Sequence, residues 1–324
     1  MPLLFNATYK APFWLPNGHF QTIFPSTFRK VEGVAYAREQ IQTLDQDFLN
    51  LDWSFAKPTK KGNQPLVILS HGLEGDSNRQ YIRGMVKLFN FNNFDCLAWN
   101  FRSCGGEMNR QVRFYHSGAT DDLKLVINHC LSKGYEQLYL IGFSLGGNLT
   151  LKYLGEQGEQ IIPQIQKAVT FSVPLHLSSG STKLERWDNW IYTQRFNRSL
   201  KRKVVEKATV FPEAIDLAPI PAIRTLRDFD DHYTSKLHGF ANAEDYYTRN
   251  SSIYFVEKIQ VPTLIVNAQN DPFLSTQCFP FQMFQQHPNI WFEAPLTGGH
   301  CGFWQSNYTE FLWSELRALH FLKE

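Results

Sequence analysis

The chain has 324 residues, 43% of them hydrophobic and 19% charged, with a formal net charge of +2. That length is enough for one large core with an insertion, and a charge so close to neutrality argues against a dedicated nucleic-acid binder. No apolar run approaches the roughly 18 residues of a membrane span, and Met1-Pro2-Leu3-Leu4-Phe5-Asn6 lacks the basic and apolar pattern of a signal peptide.

In chain order, residues 40–56 are expected to form an antiparallel hairpin that turns near Asp45-Gln46-Asp47. Strands and helices then alternate: strand 65–70, helix 79–90, strand 94–99, helix 119–133, strand 137–142, helix 145–157, strand 167–173. Such alternation predicts a parallel sheet with helices on both faces. The pattern breaks at Pro174, and no good strand follows until about Lys258. Residues 175–255 are therefore read as a mainly helical cap. Strands from Thr263 to Ala268 and from Ile290 to Ala294, with helices near 275–286 and 305–321, complete the chain. The five cysteines, Cys96, Cys104, Cys130, Cys278 and Cys301, are scattered and show no zinc spacing. Free buried thiols in a reducing cytoplasm are the expectation.

Three stretches of this frame carry chemistry. Gly142-Phe143-Ser144-Leu145-Gly146 joins a strand to a helix. Glycines on both sides of a serine allow a sharp turn that lifts the hydroxyl out of the sheet edge, the nucleophile elbow of the α/β-hydrolase fold. A serine needs a base, and the base an orienting acid. In this fold acid and histidine follow the serine in that order. Asp271 lies just past the strand that begins at Thr263, and His300 lies in the loop Thr297-Gly298-Gly299-His300-Cys301-Gly302 after the next strand. The C-terminal ends of parallel strands share one edge, so Ser144, Asp271 and His300 are expected to meet there. Glu293, Asp228, Asp230 and Asp231 are weaker rivals for the acid. His71-Gly72-Leu73-Glu74-Gly75 follows strand 65–70 and has the pattern of an oxyanion loop. The backbone N–H groups of Leu73 and Leu145 are assigned as oxyanion donors, with His71, Gly72, Gly142 and Gly146 in support.

The fold expected is thus a mostly parallel eight-stranded sheet with helices on both faces and a helical cap between strands 6 and 7. The core comprises 1–174 and 256–324, with 1–39 an N-terminal extension packed on it, and the cap 175–255.

Several stretches resemble the YheT-like group of α/β hydrolases, related to EMB8-like proteins and to mammalian membrane-anchored lipid hydrolases. Asn17-Gly18-His19-Phe20-Gln21-Thr22 resembles the group's N-x-H-L/F-Q-T, and His71 to Gly75 its H-G-L-E-G. Phe101-Arg102-Ser103-Cys104-Gly105-Gly106-Glu107 with Asn109-Arg110 is similar to F-R-G-C-x-G-E-x-N-R, with Ser103 in place of glycine. Tyr115-His116-Ser117-Gly118-Ala119-Thr120-Asp121 is similar to Y-H-S-G-x-T-x-D, with the acid one place early and again at Asp122. Phe229-Asp230-Asp231, Thr234, His238-Gly239-Phe240 and Asp245-Tyr246-Tyr247 resemble the cap signature. The resemblance spans nearly the whole chain and implies an esterase or lipase acting on acyl esters. The membrane anchor of the mammalian relatives is not evident here, so a cytoplasmic location is expected.

Other features have plainer readings. His116 and Asp121 spell H-x-x-x-x-D, a pattern quoted for acyltransferases, but Ser117, Thr120, Asp121 and Asp122 suit a helix start. Arg195, Arg198, Lys201, Arg202, Lys203 and Lys207 read as a solvated helix face, with transient contact to an anionic membrane as the sharper alternative. Trp187, Trp190 and Tyr192 read as core packing. The expected reaction is two-step hydrolysis, through an acyl-enzyme, of short- to medium-chain acyl esters or monoacylglycerol-like lipids. It calls for no cofactor, no metal and no nucleic acid. The alternatives are an acyltransferase sharing that acyl-enzyme, or a non-catalytic binding protein on the same scaffold. The oligomeric state is not readable.

Overall fold

Runs such as Leu66-Val67-Ile68-Leu69 are apolar at every position because both faces of the sheet they build are covered. Successive side chains alternate between two cores. Leu66 and Ile68 pack with Leu97, Trp99 and Leu140 on one face, and Val67 and Leu69 with Cys96, Ala98 and Ile141 on the other. The computed structural model describes residues 3–4, 9–57, 64–306 and 310–324.

The strands are β1 (Leu3–Leu4), β2 (Ala37–Gln42), β3 (Phe48–Ser54), β4 (Leu66–Ser70), β5 (Asp95–Asn100), β6 (Leu138–Phe143), β7 (Ile165–Phe171), β8 (Thr263–Val266) and β9 (Ile290–Glu293). They form one sheet in the order β1-β9-β8-β7-β6-β4-β5-β3-β2. Pairing is parallel from β1 to β5 and antiparallel at β5–β3 and β3–β2. The helices are α1 (Gly18–Phe28), α2 (Gln80–Phe91), α3 (Thr120–Ser132), α4 (Leu145–Gln157), α5 (Leu177–Leu184), α6 (Trp190–Ala208), α7 (Leu226–Phe229), α8 (Ser235–Leu237), α9 (Ala243–Asn250), α10 (Phe281–Gln285) and α11 (Trp313–Lys323). A π turn, Asp230–Thr234, joins α7 to α8. None is long and apolar enough to cross a membrane among the described residues.

The sheet has nine strands where eight are expected. The extra strand, β1, has two residues, paired as Leu3↔Phe292 and Leu4↔Glu293, too few to show a period of two. The hairpin turns where expected, with Gln46 at φ +62°, but its first strand starts earlier, at Ala37. The helix expected near 275–286 is only a 3₁₀ turn, Thr276–Cys278, and the short α10, separated by Pro280. The helix expected over 305–321 begins at Trp313. Residues 307–309 and most of Met1–Asn6 lie outside the described residues.

Between β7 and β8 the chain is helical, with a small apolar cluster of its own around Val204, Ile223, Phe229 and Tyr233. Two expectations are corrected here. Trp187 and Trp190 are not core: they are 85% and 63% exposed, while Tyr192 is buried. The basic run is not one solvated face, because α6 turns its residues to different sides. Arg195, Arg198 and Arg202 are exposed, but Lys203 pairs with Glu74 and Lys207 is fully buried. The ammonium of Lys207 donates to Asn109 O (2.9 Å), Asn109 Oδ1 (2.5 Å) and Gln111 O (2.6 Å), and burial pulls its pKa down to about 8.

The loop that receives Lys207 is organised by a buried cation. Arg102 donates to both oxygens of Asp122 (2.8 and 2.7 Å) and to Asp47 Oδ2 (2.7 Å) and Asp45 Oδ2 (3.0 Å), and Asn109 Nδ2 joins the same Asp47 oxygen at 2.6 Å. The F-R…N-R stretch is therefore a structural knot beside the sheet. Arg102→Met would strand Asp47 and Asp122 with an uncompensated buried charge, which costs about 3–5 kcal/mol. A lowered urea midpoint, with unchanged circular dichroism in buffer, is the expected result.

Candidate active site

Ser144 follows β6 directly and precedes α4, and the turn between them leaves it at φ +53° and ψ −119°. Its N–H donates to Phe171 O of the neighbouring strand at 2.9 Å. Such a turn is possible only if the backbone crosses itself closely. A Cβ on Gly146 would overlap the carbonyl oxygens of Ser70 and His71, and one on Gly142 would stand 2.5 Å from Gly146 O. Both glycines are thus required by contact.

The structure brings the three residues picked from sequence into one hydrogen-bonded chain. Ser144 Oγ lies 2.9 Å from His300 Nε2, and His300 Nδ1 lies 2.8 and 3.1 Å from the two oxygens of Asp271. Asp271 is buried, and its Oδ1 also accepts from Phe273 N at 2.8 Å. The Phe273 ring packs on the imidazole with centroids 4.1 Å apart. Burial alone would lower the pKa of His300; the Asp271 carboxylate opposes this and leaves it above the ordinary 6.5.

Leu73 and Leu145 line the same cavity as Ser144 and His300. Neither N–H donates to another protein group among the described residues. The loop that carries Leu73 is held on all sides. His71 is buried, its Nδ1 2.8 Å from Gly72 O and its Nε2 accepting from Phe101 N at 3.1 Å. Burial pushes its pKa down to about 3, so the ring is a neutral brace. Gly72 N donates to Tyr81 OH at 3.1 Å. Glu74, at φ +53°, accepts from Lys203 Nζ (2.7 Å), from Tyr115 OH (2.8 Å) and from Ser199 Oγ. Sequence reasoning missed this fastening of the loop to α6; the acid within H-G-L-E-G was the signal for it.

The rival acids are used elsewhere. Glu293 pairs with Arg317 at 2.7 Å, Asp228 caps α7, and Asp231 accepts from Ala243 N. Asp230 accepts from Tyr247 and Thr234 (both 2.6 Å) in the cavity wall. Asp121, of the H-x-x-x-x-D pattern, pairs with Arg113 at 3.0 Å. The cavity has a volume of about 480 Å³. From the helices between β7 and β8 it is lined by Leu177, Leu184, Leu200, Leu226 and Phe229, and also by charged side chains such as Arg195, Lys203 and Asp230. All five cysteines are free and buried, and among the described residues no group of three or more His, Cys, Asp or Glu could hold a metal ion.

Residues 65–306 match the model of the alpha/beta hydrolase fold family. The chain is 32% identical over 290 residues to YheT of Escherichia coli, covering 89% of this chain and 84% of that one. It is 30% identical over 302 residues to phospholipase ABHD3 of Mus musculus, covering 91% and 73%. Among solved structures, an esterase of Pyrococcus furiosus superposes with a TM-score of 0.58 at 18% identity, over 90% of this chain and 91% of the other.

The Asp271 carboxylate is the strongest of the influences that raise His300 against its burial, so removing its charge must let the imidazolium lose its proton more easily. Followed by NMR, the His300 ring should titrate with a midpoint above 6.5 in the native protein, and Asp271→Asn should move that midpoint down.

Proposed function

Because the chain belongs to the α/β-hydrolase family, in the group that includes YheT and phospholipase ABHD3, we propose that it is a serine carboxylic-ester hydrolase acting on short- to medium-chain acyl esters or monoacylglycerol-like lipids. The observation that carries this reading is the unbroken chain from Ser144 Oγ through His300 to Asp271, opening on a cavity lined in part by Leu177, Leu184, Leu200, Leu226 and Phe229.

His300, with Nδ1–H donating to Asp271, takes the Ser144 proton on Nε2 as Oγ attacks the ester carbonyl. The negative oxygen of the tetrahedral intermediate accepts from Leu73 N–H and Leu145 N–H. Collapse breaks the ester C–O bond, and the Nε2 proton passes to the departing alcohol. A water then gives its proton to Nε2, attacks the acyl-enzyme, and releases the acid as Ser144 recovers its proton. The helices of 175–255 act in this reading as a cap whose apolar side chains take the acyl group, over a core formed by 1–174 and 256–324. Five buried free thiols accord with work in a reducing cytoplasm.

The exposed stripe of α6 gives the cap an outer role as well. Arg195, Arg198 and Arg202 have no carboxylate partner among the described residues and follow the exposed Trp187 and Trp190. Each would add about 1 kcal/mol of attraction near an anionic bilayer, enough together for transient contact.

Wild-type protein should react with a fluorophosphonate and hydrolyse p-nitrophenyl esters, while Ser144→Ala loses both, turnover falling by at least about a thousandfold. Undiminished turnover in pure Ser144→Ala would remove the serine from its role. Glycerol added to the assay separates hydrolysis from acyl transfer by product. In a second experiment, vesicles containing phosphatidylserine should sediment the protein at low salt and release it at high salt, and the triple change of Arg195, Arg198 and Arg202 to Gln should weaken sedimentation. Salt-insensitive binding, or none, would sink the membrane contact.

A further inference from the structure

The polar residues of α1 lie against loops that the chain reaches far later. Gln21, 1% exposed, accepts on Oε1 from Gly298 N (2.7 Å) and from Asn270 Nδ2 (3.0 Å), and its amide donates to Leu15 O (2.8 Å). Thr22 Oγ1 donates to Gly18 O (2.6 Å) and accepts from His300 N (2.9 Å). Asn270 Oδ1 accepts from Gly299 N at 3.1 Å, and Asn270 directly precedes Asp271. One helical turn therefore grips the loop of the acid and the loop of the base together. The fit is close in the backbone as well: a Cβ on Gly18 would overlap Asn270 O, and one on Gly302 would overlap Gln21 O.

The histidine loop needs such a grip. Gly298, Gly299, Cys301 and Phe303 stand at φ +152°, +62°, +53° and +48°. Non-glycine residues in this region persist only where the surroundings over-determine them, and Cys301 and Phe303 are two of them. Cys301 N is tied to Ser172 Oγ (2.8 Å) and Phe303 N to Gly298 O (2.9 Å). The N–H of His300 itself is held by Thr22.

We infer that Gln21 and Thr22 are positioning residues: they hold the His300 backbone where its imidazole reaches Ser144 Oγ and the Asp271 carboxylate together. The inference rests on the triad reading above. It also gives the stretch Asn17 to Thr22 a physical task, since Gly18, Gln21 and Thr22 each supply one of these contacts.

The test is Thr22→Val, which keeps the shape and removes the hydroxyl, beside Thr22→Ser, which restores it. Thr22→Val should lose about tenfold or more in kcat with KM unchanged, since small misplacements of reacting groups are costly. Its kcat/KM should also fall off at lower pH than in the wild type, because His300 drifts from the carboxylate that raises its pKa. Thr22→Ser should recover both. If Thr22→Val does not fold, Thr22→Ala is read the same way. A variant without the hydroxyl that keeps wild-type kcat, or loses only melting temperature with an unshifted pH profile, overturns the inference. Ser144→Ala run in parallel separates the two readings: its retained turnover would fell the triad and the clamp together, while a dead Ser144→Ala beside a fully active Thr22→Val would fell the clamp alone.

Discussion

Ser144 is held at φ +53° and ψ −119°, a conformation that costs a non-glycine residue on the order of 1–3 kcal/mol, and the surrounding sheet is built to keep it there. The β6–α4 turn passes so close to β4 that only glycine fits at position 146. Phe171, on the neighbouring β7, supplies the acceptor for the serine N–H. Those contacts exist because β4, β6 and β7 are adjacent and parallel, which follows from the alternation of buried strands and covering helices. The strain at one residue is thus carried by burial distributed over the whole core.

The segment between β7 and β8 is joined to that core by polar contacts as well as by apolar ones. One helix, α6, contributes Lys203 to Glu74 beside Leu73, and Lys207 to the carbonyls of Asn109 and Gln111. The first contact is an ion pair beside the site. The second is a buried amine satisfied by uncharged oxygens and a loop that Arg102 organises. Hydrogen bonds in such surroundings fix geometry more than they add stability, so the position of α6 and the shape of the loop bearing Leu73 are set together.

Much of this was legible in the residues. Strands β4, β6 and β8 read as apolar runs because they are covered on both faces, and the order serine, aspartate, histidine named three residues that the structure brings within hydrogen-bonding distance. What was not legible depended on tertiary direction. The basic residues of α6 look alike in sequence, yet Lys207 is sealed inside and Arg202 faces out. Trp187 and Trp190 read as core by composition, but the end of α6 that they flank turns outward. Gln21 and Thr22 stood out only as members of the stretch Asn17 to Thr22, with no task that the sequence could attach to them. Only the fold shows that they face loops 249 to 278 positions away.

That separation bears on the order in which the molecule becomes competent. Ser144 and its elbow need only β4, β6 and β7, which are complete by Phe171, whereas α1 cannot find its partners until residues 270 and 298–300 exist. Contacts of such long sequence separation close the largest loops and form slowly. During synthesis the first helix must therefore wait for these partners while nearly the entire chain is made. In the proposed triad, a product stopped before residue 300 would carry the Ser144 elbow without its base, so unfinished copies would be silent by construction.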